Sequence, residues 1–112
     1  MKVDNLVPKP LQKELFKLHR QKFVTDASGC YALTNFPGDI LYLGLASNLR
    51  RRFEQHLEAP EKVKPTPLGV AYYFYWLEAV DLEKLERTWI NAHTLVEGKM
   101  PHLNKVSSPL RL

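Results

Sequence analysis

The chain has 112 residues, 45% of them hydrophobic and 25% charged, which suits one soluble globular domain with a modest core. Sixteen Lys and Arg against twelve Asp and Glu give a net charge of +4 and a pI near 9.3, a balance that permits a polyanionic partner without requiring one. A single cysteine, Cys30, excludes an internal disulfide; four scattered histidines (His19, His56, His93, His102) lack zinc-ligand spacing; and no apolar run reaches a membrane span, so a soluble cytoplasmic protein is expected.

Pro10 as a first helical residue, with Leu11, Leu15 and Leu18 at helical spacing, predicts a helix over about 10–22. Asp26, Ser28 and Gly29 break it, and residues 30–34 predict a strand. Phe36-Pro37-Gly38-Asp39 predicts a type II turn, with Pro second and Gly third. Residues 40–43 then return as a second strand, ended by Gly44. Ser47 or Asn48 caps a helix running to about Glu58. Pro60, Pro65 and Pro67, interspersed with Lys62 and Lys64, predict a loop over 59–68. Residues 70–77, with Tyr72, Tyr73, Phe74, Tyr75 and Trp76, predict a strand covered on both faces. Asp81 caps a last helix to about Glu97, and Gly98 stops it. The expected fold is α/β: a small three-stranded, largely antiparallel sheet flanked by helices, with an extra N-terminal helix.

Polar groups stand out on these elements. Leu49, Phe53 and Leu57 form the apolar stripe of the second helix, and His56 falls inside it with Arg52 at its edge. Arg52 and His56 are four apart, so they are surface neighbours. On the last helix Leu82, Leu85, Trp89, Ala92 and Val96 form the core face, Glu86 lies beside it, and Glu83 and Arg87 take the solvent side. A carboxylate there is desolvated at a cost unless it is paired or binds a metal. In the hairpin, Leu33 is expected to face Tyr42 and Tyr31 to face Gly44. The two tyrosines are then diagonal neighbours on one face. Taken singly, a snorkelling Arg, a hydrogen-bonded core His, a salt-bridged Glu and two packed tyrosines account for each feature.

Together they form a pattern. Gly29-Cys30-Tyr31, Tyr42-Leu43-Gly44, then Arg52 ten positions past the second tyrosine, His56, Glu86 within Leu85-Glu86…Trp89-Ile90, and Pro101 with Asn104 resemble the GIY-YIG nuclease superfamily. The resemblance runs from about Ser28 to Lys105. Cys30 stands where isoleucine is usual, and Leu45 where some members have a lysine.

The resemblance implies a DNA endonuclease that hydrolyses phosphodiester bonds with one Mg²⁺ or Mn²⁺ held by Glu86. It implies that Arg52 donates to the phosphate, that Tyr31 acts on the water with His56 as its proton acceptor, and that Tyr42 positions water or phosphate. Asn104 orients the site, and Arg50, Arg51, Lys62 and Lys64 are expected to contact the DNA backbone. Repair and recombination enzymes belong to this group, so either role fits. The expected organisation is a helical extension over 1–27, a nuclease domain over 28–106 and a tail over 107–112. With no second DNA-binding domain in view, sequence specificity is expected to be weak or supplied by a protein partner or fused domain. The rival readings are a catalytically silent nucleic-acid-binding module of the same fold and a protein-interaction domain using the aromatic run 72–76.

Overall fold

In a computed structural model, residues 1–104 are described; the expected tail at 107–112 lies outside them. Strand β1 spans Gln12–Leu15, β2 Gly29–Thr34, β3 Ile40–Ala46 and β4 Tyr73–Glu78; helix α1 spans Leu49–Leu57, α2 Pro60–Val63 and α3 Leu82–Glu97. Short 3-10 helices occupy Val3–Asn5 and Leu18–Phe23. The sheet of the described residues has the order β1-β4-β2-β3, antiparallel throughout.

The α/β class and the antiparallel sheet are as expected; the strand count and the N-terminal helix are not. Residues 10–22 form no α-helix. Gln12–Leu15 pairs instead with β4, Gln12 opposite Trp76 and Leu15 opposite Tyr73, and makes a fourth strand. The leucine spacing that suggested a helix does not mark a core face, for Leu11 is 76% exposed while Phe16 is buried. Unpaired backbone along the edge of β4 is a stronger demand than a weak local period. Pro8 and Pro10 also hold the residues before them extended.

β2 lies between β4 and β3 and is buried at every position, so it is the strand covered on both faces. β4 itself starts at Tyr73, later than expected, and alternates: Phe74 and Trp76 are buried while Tyr73, Tyr75 and Leu77 are half-buried. The hairpin pairs Tyr31 with Gly44 and Leu33 with Tyr42, as the pattern required. β3 continues past Gly44, and Ala46 pairs with Gly29. The turn also closes one residue early. The Gly38 amide donates to the Asn35 carbonyl at 3.2 Å, and Gly38, at φ 100°, takes the left-handed conformation that glycine permits. Thr34 then faces Ile40, and the register shift leaves Leu41 as the extra residue of a bulge.

Asn48 caps α1 by accepting from the Arg51 amide, and Asp81 caps α3 by accepting from Lys84. Gly98, at φ 77°, ends α3. The expected loop at 59–68 opens with α2, whose first residue is Pro60. One face of the sheet packs Tyr31, Leu33, Phe74 and Trp76 against Leu49 and Phe53 of α1. The other packs Cys30, Ala32 and Leu43 against Trp89 of α3. Val96, expected on the core face of α3, is 65% exposed, and His93 is buried instead.

Candidate active site

The two motif glycines are required by close approach. A Cβ at Gly44 would lie 2.6 Å from the Tyr31 hydroxyl oxygen and 2.8 Å from Cε1 of Tyr42. The Tyr31 ring therefore lies across Gly44, its partner on β3, and only a bare backbone leaves room for it. A Cβ at Gly29 would lie 2.4 Å from the Leu77 carbonyl oxygen of β4. Tyr31 stacks on Phe74 at 4.9 Å between ring centres and lies 5.8 Å from the Tyr42 ring. His56, the buried histidine on the apolar stripe of α1, reaches the same spot. Its Nε2 is 2.5 Å from the Tyr31 hydroxyl, and its ring centre is 5.2 Å from that of Tyr42.

Tyr42 forms one wall of an open cleft of about 550 Å³. Leu45 of β3, Arg52 of α1, and Glu83, Glu86, Arg87 and Ile90 of α3 complete its lining. Arg52 and Glu86 come from helices on opposite faces of the sheet and meet around the β3 edge. Residues 27–98 match the GIY-YIG catalytic domain. The chain belongs to the GIY-YIG family. A search of curated proteins found no match. The match runs from just before β2 through α3, so this GIY-YIG domain has a nuclease-type fold with β1 added outside the matched segment.

Within the GIY-YIG domain, β3 is an edge strand of the sheet, and several of its outward-facing backbone groups are engaged. Leu41, the bulge residue, accepts from the Leu103 amide at 2.8 Å. Leu43 donates to Oδ1 of Asn104 at 3.0 Å and accepts from its Nδ2 at 2.9 Å, so the Asn104 side chain pairs like a neighbouring peptide. Leu45 accepts from Nη1 of Arg52 at 3.3 Å, while Nε of Arg52 donates to Gln55 at 3.0 Å. Asn104 thus holds the strand that carries Tyr42 and Gly44. The Leu45 carbonyl holds Arg52 against the cleft.

Burial sets the resting protonation. It lifts the Tyr31 hydroxyl well above the usual tyrosine range; nearby Tyr42 adds to the rise and Arg52 opposes it. Burial pushes His56 down to about 3, with the charges of Lys62 and Arg52 adding to the effect. Both groups are therefore neutral near pH 7. The Tyr31 hydroxyl and Nε2 of His56 share one hydrogen bond, and with the ring proton of His56 on Nδ1 it is the hydroxyl that donates. Cys30, under Glu86, is pushed up to about 12, chiefly by burial and then by the Glu86 charge, so its thiol stays protonated.

The remaining expected site residues separate. Lys62 sits at the site, with Nζ 4.6 Å from the centre of the Tyr42 ring. Lys64 and Arg51 are exposed. Arg50 donates from Nε to the Val24 carbonyl at 2.8 Å and so anchors α1 to the segment before β2. Glu83 and Arg87 are exposed but line the cleft, a role the sequence reading had not given them. The signal was present: Glu83, Glu86, Arg87 and Ile90 follow i, i+3, i+4, i+7 spacing, a second stripe beside the core face.

Proposed function

We propose that this GIY-YIG domain is a metal-dependent endonuclease that hydrolyses phosphodiester bonds in DNA. One observation carries the reading. Tyr42, Arg52 and Glu86, from three separate elements, line a single cleft with the Tyr31–His56 hydrogen bond directly behind Tyr42. Glu86 offers a hard oxygen ligand in an open cleft with room for water, which suits Mg²⁺ or Mn²⁺. Among the described residues no three His, Cys, Asp or Glu form a metal cage, and the Cys30 thiol is not a thiolate. The fit is to a cation that keeps most of its waters. Held by Glu86, the cation supplies positive charge where negative charge develops on the phosphate.

The protein groups do the rest. Arg52, oriented by the Leu45 carbonyl, donates to the phosphate oxygens. Tyr31 was expected to act on the attacking water, but it is 0% exposed and does not line the cleft. Tyr42 is the tyrosine that faces the cleft. In this reading Tyr42 accepts the proton of the water and passes its own to Tyr31, and Tyr31 passes its proton to Nε2 of His56. The water becomes hydroxide-like and His56 ends with the extra proton. Exposed Arg51 and Lys64, with Arg87 at the cleft, supply cations for flanking phosphates. Among the described residues no helix is long and apolar enough to cross a membrane. An aqueous cytoplasmic setting and a role in repair or recombination belong to the same proposal.

Cleavage of supercoiled and branched DNA with Mg²⁺, by wild type beside Tyr42→Phe and Tyr31→Phe, tests it. Nicking by wild type with a large rate loss in both variants is expected, and a greater loss in Tyr42→Phe. DNA binding without cleavage by wild type would favour the silent binding module.

A further inference from the structure

Lys62 was expected, with Arg50, Arg51 and Lys64, to meet the DNA backbone. α2 gives it another position. The chain turns directly after α1, with the Ala59 amide donating to the His56 backbone carbonyl at 3.1 Å, and Pro60 starts α2 at once. Lys62 follows within that single turn, and its ammonium lies 4.6 Å from the centre of the Tyr42 ring. The Tyr42 ring in turn lies 5.2 Å from His56, edge-on. The charged and titratable groups facing His56 among the described residues are therefore Tyr31 from β2, Tyr42 from β3, Arg52 from α1 itself and Lys62 from α2. The two charged ones are both cations.

We propose that Lys62 is a positioning residue that couples DNA binding to the proton relay: its charge adds to burial in keeping His56 an empty acceptor in the free protein, and a bound phosphate, by offsetting that charge, makes it easier for His56 to take the proton. The inference rests on the nuclease reading for its purpose, though not for its first step. A cation near an imidazole opposes a second positive charge there, and of the two cations acting on His56, Lys62 has the larger effect. Neutral His56 with a vacant Nε2 is what the Tyr31 hydroxyl requires in order to donate. The same repulsion would hinder proton arrival during the reaction. A phosphate anion beside Arg52 and Lys62 removes the hindrance at the moment the substrate is in place. Linkage makes the effect reciprocal: whatever anion binding does to the proton affinity of His56, protonation does to anion affinity.

The test uses NMR of the His56 side-chain nitrogens from pH 8 down to pH 4. Measurements are made on the free protein and with a short duplex oligonucleotide in EDTA, so that nothing is cleaved. In free wild type, His56 should stay neutral with the proton on Nδ1. In Lys62→Met and more so in Lys62→Glu, its titration should move upward, by on the order of one pH unit per unit of charge removed. Lys64→Glu makes the same change in net charge as Lys62→Glu at an exposed neighbour and should leave His56 as in wild type. Adding the oligonucleotide should raise the titration in wild type, and less in Lys62→Met. If Lys62→Glu and Lys64→Glu both titrate like wild type while folded, as judged by unchanged backbone spectra, the inference fails. It also fails if the oligonucleotide binds and does not move the wild-type titration. If the free-protein shifts appear but wild type never cleaves DNA under Mg²⁺, the nuclease reading fails while the electrostatic role of Lys62 stands.

Discussion

At the scale of single residues, the three consecutive arginines of α1 separate most sharply. Arg52 is at the cleft, its guanidinium held by the Leu45 carbonyl; Arg50 is bonded to Val24; Arg51 is exposed. A donor positioned on charge that grows in the transition state affects rate more than binding. Arg52→Ala is expected to lower the single-turnover cleavage rate about a hundredfold or more, the loss typical of removing one such donor. Arg52→Lys should recover only part of it, since an ammonium lacks the planar fork. Arg50→Ala and Arg51→Ala should stay within about tenfold of wild type, with Arg50→Ala losing some thermal stability. Equal losses in all three would reduce Arg52 to a member of a basic patch. The Gly44 geometry supports a second prediction. Gly44→Ala drives a methyl group into Tyr31, which cannot retreat because it is stacked on Phe74 and fully buried. Overpacking of this kind costs about 1–3 kcal/mol. A fall in Tm together with a shifted Tyr31–His56 resonance pattern is expected; a variant as stable and active as wild type would refute the close approach.

At the scale of elements, the sheet edge explains why Asn104 matters so far from the hairpin in sequence. Its side-chain amide satisfies both backbone groups of Leu43, and removing it leaves two polar groups of an edge strand without their protein partner. Asn104→Ala is expected to cost about 1–3 kcal/mol and to speed amide hydrogen exchange at Leu43. Asn104→Asp, which can accept from the Leu43 amide but cannot donate to its carbonyl, should not restore protection; full protection in either variant would contradict the clamp. Elements backed by strong local signals were legible in the sequence: a cap at Ser47 or Asn48, which is Asn48, the cap Asp81, the stop at Gly98, and the Tyr31–Gly44 register counted outward from the turn, which the bulge at Leu41 preserves although the turn closes one residue early. β1 was not. Its residues have no strand pattern of their own, and its conformation is dictated by the open edge of β4, which only the assembled sheet presents. For the same reason Lys62 and Arg87 looked like surface charges. Their places depend on how α2 folds back and on where the α3 flank meets β3, and neither is a property of local spacing.

At the scale of the whole molecule, a buried neutral histidine ties stability to pH. His56 has a folded-state value of about 3, below the ordinary 6.5, so the unfolded chain takes up its proton first as pH falls. The contribution is complete above about 6.5 and is lost progressively toward 3. His93 is shifted the same way, chiefly by burial. Between pH 6.5 and 5, Tm of wild type should fall, with His56 contributing up to about 1.4 kcal/mol per pH unit. His56→Gln should fall less steeply over that window; parallel curves would show that His56 is not held neutral by burial. The fold as a whole brings Arg52 and Glu86 from opposite faces of one sheet to a shared cleft, and what that cleft does to DNA is open to direct measurement. The direct measurement is the rate at which supercoiled DNA is nicked by wild type in Mg²⁺, by wild type in EDTA, and by folded Glu86→Ala in Mg²⁺. Nicking in the first case alone is the expected result. Absence of nicking by wild type in Mg²⁺ and in Mn²⁺, or equal nicking by Glu86→Ala, would contradict the account.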